Sequence, residues 1–271
     1  MSWRPQLVVN GDDFGFTPDV NSGIVEAHRR GILTATTLMA NGDAFDDAVR
    51  LARETPSLDV GCHLVLIGGR SLTFGKPLPA TVAELLHALV HREIPIYEEL
   101  AAQTRHIIAT GIRPTHLDTH KHTHLAPPVL DAVVRISRHF AIPWVRCPFD
   151  FPMRALGTPL RTRLVSRALG LMQGRFRRVL AAHGCRGTDH FAGFQLTGRV
   201  GCDALASLAE ALPEGVTELM YHPGHCGDAL RQAPTRLKES RERELQALTA
   251  PETRQALERH NIDLVNYSQL G

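Results

Sequence analysis

The chain contains no run near the roughly 18 apolar residues that a membrane-crossing helix needs. Its five cysteines, Cys62, Cys147, Cys185, Cys202 and Cys226, are odd in number and show no CxxC spacing. That argues against a disulfide frame or a thiolate zinc site and for reduced thiols in the cytoplasm. A formal charge of +2 is too small to mark a nucleic-acid partner. No GxSxG turn is present, which disfavours a serine hydrolase, and no internal repeat is visible. The opening Met1 to Gln6 passes into a short strand-like run and then charged residues, so it reads as no signal peptide.

What is present is a globular composition, 43% apolar and 21% charged, over 271 residues. That length suits one α/β barrel occupying residues 1–271. Leu7 to Asn10 reads as a short buried strand, and Thr17 as the cap of a helix with Pro18 at its first position and Gly31 at its end. Further strands are expected at Ala35–Met39, Val60–Leu66, Trp144–Pro148, Thr217–His222 and Ile262–Tyr267. Helices fall at 44–54, 82–91, 96–110, 128–140, 204–212 and 236–248. Strands alternating with helices of about ten residues imply parallel βαβ units. At least six or seven units without a linker favour a closed barrel over an open doubly wound sheet.

The most informative stretch is Thr115 to His124, where four imidazoles and a carboxylate fall within ten residues. On an extended strand, alternate residues share a face, so His116, Asp118, His120, His122 and His124 point the same way. Such a face makes a poor apolar core, since each buried imidazole or carboxylate needs a partner. It makes a good wall for a divalent cation. A polar surface strand that happens to be rich in histidine is the plainer alternative.

Other polar residues sit where predicted strands end, the rim at which a parallel barrel gathers its chemistry. These are Asp12 and Asp13, His63, His120, Arg146 and His222. Adjacent carboxylates repel, and a division of labour resolves the conflict: one binds metal, the other acts as base. Taken singly, the aspartates fit a helix start, His63 a hydrogen-bonded core histidine, Arg146 a structural ion pair and His222 an exposed turn. Their convergence on one rim is what points to a site.

Asn10-Gly11-Asp12-Asp13-Phe14-Gly15, Gly61-Cys62-His63-Leu64, the Thr115–His124 stretch and His222-Pro223-Gly224 resemble the YdjC/ChbG carbohydrate deacetylase family. Within it, Asp189–Gly193 and Val216–Leu219 look most like the hopanoid-biosynthesis-associated HpnK branch. The resemblance implies a distorted, TIM-like (β/α) barrel of seven parallel strands and one divalent metal, Mg2+ or Zn2+ with Mn2+ or Co2+ as alternatives, held by Asp13, His63 and His120. It implies hydrolysis of an N-acetyl group on an amino sugar, with Asp12 at the base position and His222 as the acid. Gly11 stands where the family usually has alanine. In this reading the cation readies a water and polarises the acetamide, Asp12 takes the proton, and protonated His222 supplies one to the leaving amine. Arg146 holds Asp12 ionised and oriented, while His116, Asp118, His122 and His124 support the ligands or contact substrate. Alternatives are a metal-dependent barrel enzyme of another reaction type, such as an isomerase or aldolase, and a metal-binding sugar or lipid carrier without turnover.

From Phe151 to Leu180 there are seven arginines and no acidic residue, interleaved with Leu160, Leu164, Val165, Leu169, Leu171 and Met172. This insertion, about 151–180, reads either as a basic amphipathic helix for an anionic membrane surface or as a solvated helix covering the barrel with its arginine stems packed down. In the first reading the substrate is a lipid-linked sugar or glycolipid, reached by peripheral contact at the inner membrane surface; in the second, a chito-oligosaccharide suffices. A homodimer is left open.

Overall fold

The computed structural model describes residues 4–152, 158–199 and 201–270. Its strands are β1 (Gln6–Phe14), β2 (Ala35–Leu38), β3 (Asp59–Leu64), β4 (His116–Thr119), β5 (Trp144–Val145), β6 (His190–Ala192), β7 (Val216–Tyr221) and β8 (Asp263–Leu264). Seven of them lie parallel in the order β5-β4-β3-β2-β1-β7-β6. β8 pairs with the start of β1, where Gln6 and Leu7 face Asp263 and Leu264. The sheet curls into a distorted half-barrel. Its free edges are joined by single links, the parallel bridge of Asp150 to Phe191 and the Val145 amide donating to the Arg186 carbonyl at 2.8 Å.

Local chemistry explains the elements. The first helix, Pro18–Arg30, starts at Thr17, whose hydroxyl accepts from the Val20 amide. Val20, Ile24 and Ala27, spaced one helical face apart, are fully buried. They pack with Leu7, Val9, Leu38 and Leu64 in one continuous core. Burial on both faces fits the apolar run Leu7–Val9 that opens β1. β6 escaped prediction because three residues, His190 to Ala192, carry no readable period. The helix Pro251–Arg259 was missed as well, lying among charged residues without a long apolar face.

The histidine-rich stretch is not one strand. β4 ends at Thr119, and His120–Leu125 forms a 3-10 turn in which Lys121 and His122 take left-handed backbone angles, φ 53° and 51°. Thr119 anchors the fold-back: its hydroxyl accepts from the His124 amide at 3.0 Å and pairs with the His124 ring at 2.5 Å. Alternation therefore carries His116 and Asp118 inward and delivers His120 just beyond the strand end. His122 and His124 leave that face.

The basic stretch forms two helices, Leu160–Gly170 and Gln173–Ala182. Arg154, the first of the seven arginines, lies outside the described residues. Among the described residues no helix is long and apolar enough to cross a membrane.

Candidate metal and acid–base site

Three strand ends deliver three ligand-type atoms to one point. Asp13 Oδ1 lies 3.3 Å from His63 Nε2 and 3.1 Å from His120 Nδ1, and the two ring nitrogens are 3.2 Å apart. A cation bound at about 2.1 Å spaces tetrahedral ligands by about 3.4 Å, so the triangle has the right size. β1 places Asp13 at its C-terminal end with φ 71°, a left-handed angle that aspartate tolerates better than most residues. His63 comes from β3 and His120 from the turn after β4.

The shell around the triangle sets its orientation. His63 Nδ1 meets Asp118 Oδ1 at 2.7 Å, which turns Nε2 toward the other two ligands, the usual partner arrangement for a metal-binding imidazole. Burial would lower the His63 pKa, but the charge and hydrogen bond of Asp118 reverse this and push it up to about 10. Asp13 Oδ2 accepts from Arg241. Burial would raise the Asp13 carboxyl, and the Arg241 charge with the two histidine contacts holds it well below the usual range.

Below this triangle Arg146, buried and directly after β5, faces three carboxylates. It donates to both oxygens of Asp12 at 2.7 Å, to Asp118 Oδ2 at 2.5 Å and from Nε to Glu218 Oε1 at 2.6 Å. Burial alone would raise the Asp12 carboxyl; Arg146 overrides it and keeps Asp12 ionised. Asp12, Asp118 and His63 also lie close enough to grip an ion. Their carboxylates already face a guanidinium, however, so a cation there meets like charge, and the Asp13 triangle is the better seat. Five carboxylates (Asp12, Asp13, Asp118, Glu218 and Glu244) share this interior with two guanidiniums (Arg146 and Arg241), all of them buried. A divalent cation seated at the triangle would offset part of that excess.

His222 follows β7 with Nε2 4.0 Å from Asp12 Oδ2. Its amide donates to Glu244 Oε2 at 2.6 Å, and its Nδ1, 4.0 Å from that oxygen, has no hydrogen-bond partner among the described residues. Burial lowers the imidazole to about 4 although Asp12 and Asp13 pull it upward. That shift favours the neutral imidazole at rest.

The remaining histidines are scattered. His116 Nε2 pairs with Asn10 Oδ1 at 3.0 Å and its ring stacks on Tyr267 with centroids 4.0 Å apart. His124 Nε2 donates to the Arg146 carbonyl at 3.1 Å. His122 faces the rings of Phe191 and Phe194. Burial keeps all three neutral, lowering their pKa values.

Arg241 and Glu244 were not anticipated. Their helix, Glu239–Thr249, is rich in charge, yet Arg241, Glu244, Leu245 and Leu248 form its buried side. The one available signal was their shared spacing with the leucines.

Fold and donor set define a parallel-barrel protein whose rim carries a buried two-histidine, one-carboxylate cluster suited to a divalent cation. The chain belongs to the YdjC-like protein family, whose profile matches residues 6–259. A carbohydrate deacetylase of Brevibacillus brevis is 36% identical over 274 residues, covering 98% of this chain and 100% of the relative. One from Vibrio vulnificus strain YJ016 is 32% identical, covering 98% and 96%. A solved structure from Enterococcus faecalis V583 superposes with a TM-score of 0.79 over 100% of both chains at 24% identity, a likeness of fold.

Proposed function

We propose that this protein is a metal-dependent carbohydrate deacetylase that hydrolyses the N-acetyl group of an amino sugar. The observation that carries the reading is the Asp13–His63–His120 triangle with ionised Asp12 beside it, in a chain whose relatives are carbohydrate deacetylases. Asp13, His63 and His120 would hold the ion, and two imidazoles with one carboxylate suit zinc while tolerating magnesium, manganese or cobalt. When bound, the cation supplies carbonyl polarisation and a more acidic water.

This chain's own groups handle the protons. Asp12, ionised by the Arg146 fork, accepts a proton at Oδ2, the oxygen nearest His222. Because Arg146 makes Asp12 a weak base, the proton does not rest there. His222 Nε2, neutral at rest, takes it up and passes it to the departing sugar amine, which leaves poorly without one. Asp118 keeps His63 Nε2 turned toward the ligand position. His122 packs edge-on against the buried Phe191 ring and faces Phe194 beside the candidate site.

The acetamide is carried by a chito-oligosaccharide or by a lipid-linked sugar such as a hopanoid glycolipid. The two stretches that resemble the hopanoid-associated branch are β6 and the start of β7, which pair in register from His190–Thr217 to Ala192–Leu219. The deciding experiment is acetate release across chito-oligosaccharides and glycolipids, with and without chelator. Turnover that ignores chelation sinks the metal reading, and no acetate from any acetylated sugar sinks the reaction.

A further inference from the structure

The helix Leu160–Gly170 buries none of its side chains. Leu160 is 67% exposed, Leu164 56% and Leu171, just past the helix end, 88%, with Val165 and Met172 also open. At about 100° per residue, positions 160, 164 and 171 fall within about 40° of one another, so the leucines form one outward stripe. The inward side carries Leu169, partly buried against the core, and Ser166, which donates to Asp150 Oδ2 at 3.3 Å and accepts from Gln195 at 3.2 Å. Of the helix's three leucines only Leu169 packs down, unlike a helix that covers a barrel with its leucines inward.

Charge identifies what covers the stripe. Arg161, Arg163, Arg167, Arg175 and Arg178 are exposed around it, and residues 151–180 contain no Asp or Glu. A second copy of the same stripe would bring arginine against arginine. An acidic-headed apolar layer satisfies both features at once, since leucines enter the acyl boundary while arginines reach the headgroups. We infer that this helix docks the protein on an anionic phospholipid surface.

Its position gives the docking a purpose. Asp150, which holds Ser166, also accepts from the amides of Gly193, Phe194 and Gln195 at 2.9, 3.1 and 2.9 Å. Phe194 faces His122, on the turn after β4 that also carries the candidate ligand His120. The stripe is thereby tied to the mouth of the candidate site. The surface stands on its own evidence; its consequence, that the acetylated sugar is lipid-borne, rests on the deacetylase reading.

The test is flotation of the full chain with phosphatidylcholine vesicles and with vesicles containing phosphatidylglycerol, at low and high salt. Acetate release from soluble N,N′-diacetylchitobiose and from an N-acetylated glycolipid in the vesicles is measured on the same samples. Recovery with anionic vesicles alone is expected, weakening with salt and falling about fivefold for each arginine removed. Leu164→Glu with Leu171→Glu abolishes flotation and leaves soluble turnover unchanged, because both side chains are exposed and outside the site. No binding to either vesicle overturns the inference. So does equal recovery with both lipids, or self-association in solution that the same glutamates abolish. Flotation without acetate release from either the soluble or the lipid-borne acetylated sugar leaves the surface standing and removes the deacetylase.

Discussion

Arg146 holds Asp12 through two parallel hydrogen bonds of 2.7 Å while also contacting Asp118 and Glu218. One planar guanidinium thus sets the base candidate and, through Asp118, the tautomer of a ligand candidate, His63. Lysine keeps the charge but cannot reproduce the fork. Arg146→Lys is expected to lower kcat by at least about 100-fold and to cost about 3 to 5 kcal/mol of stability, because buried carboxylates lose partners. Acetate release and urea melts read both; a wild-type rate would remove Arg146 from the positioning of Asp12.

Neighbouring aspartates are expected to separate by phenotype. Asp13→Asn and His120→Ala should lose bound metal, measured by elemental analysis, along with activity. Asp12→Asn should keep the metal and lose the rate. Asp118→Asn should weaken metal affinity about 10- to 100-fold by releasing the His63 ring. Equal metal content in the Asp12 and Asp13 variants would contradict the division of roles.

Glu244 carries a pH signature. Burial raises its carboxyl from the ordinary 4.5 to about 7, against the amides of His222 and Gly198 and the charge of Arg241. A raised folded pKa gives stability that is fully present below the unfolded value and lost as pH rises through about 7. Glu244→Gln does not titrate, so its melting temperature should gain on wild type between pH 5 and 8, by up to about 3 kcal/mol in stability. His222, lowered from 6.5 to about 4, acts in the opposite direction: its contribution is present above 6.5 and lost as pH falls through about 4. A pH-independent difference between Glu244→Gln and wild type would show that the carboxylate is not strained by burial.

Two glycines should respond oppositely to alanine. A Cβ at Gly11 meets only the tip of Leu33 at 2.8 Å and Ile24 at 3.5 Å, so a small rotation of Leu33 accommodates it. Gly11→Ala is expected within about 1 kcal/mol of wild type. A Cβ at Gly61 meets the His116 carbonyl and ring at 2.6 Å, between paired strands that cannot part. Gly61→Ala should lose more than about 2 kcal/mol in urea melts.

Most parallel strands and helix starts were legible because they follow local rules: β1 opens on the apolar run Leu7–Val9, and Thr17-Pro18 marks a helix start. Asp12, Asp13, His63 and His120 stood out because ligand-type residues at strand ends are costly to bury without purpose. The direction of His122 was illegible, since one left-handed residue pair turns the chain before alternation runs its course. Arg241 and Glu244 were hidden because a charged residue on a helix is nearly always solvated; only the buried face of that helix makes them interior.

By itself the sequence determined which residue types reach the rim of a parallel barrel, since periodicity and strand ends are properties of neighbours along the chain. Tertiary structure alone decided which atoms meet: Asp13 with His63 and His120, Arg146 with three acids, and leucines outward on a basic helix. Those pairings join residues dozens to hundreds of positions apart. Their energies depend on burial and on distances of a few ångströms, which no local pattern encodes.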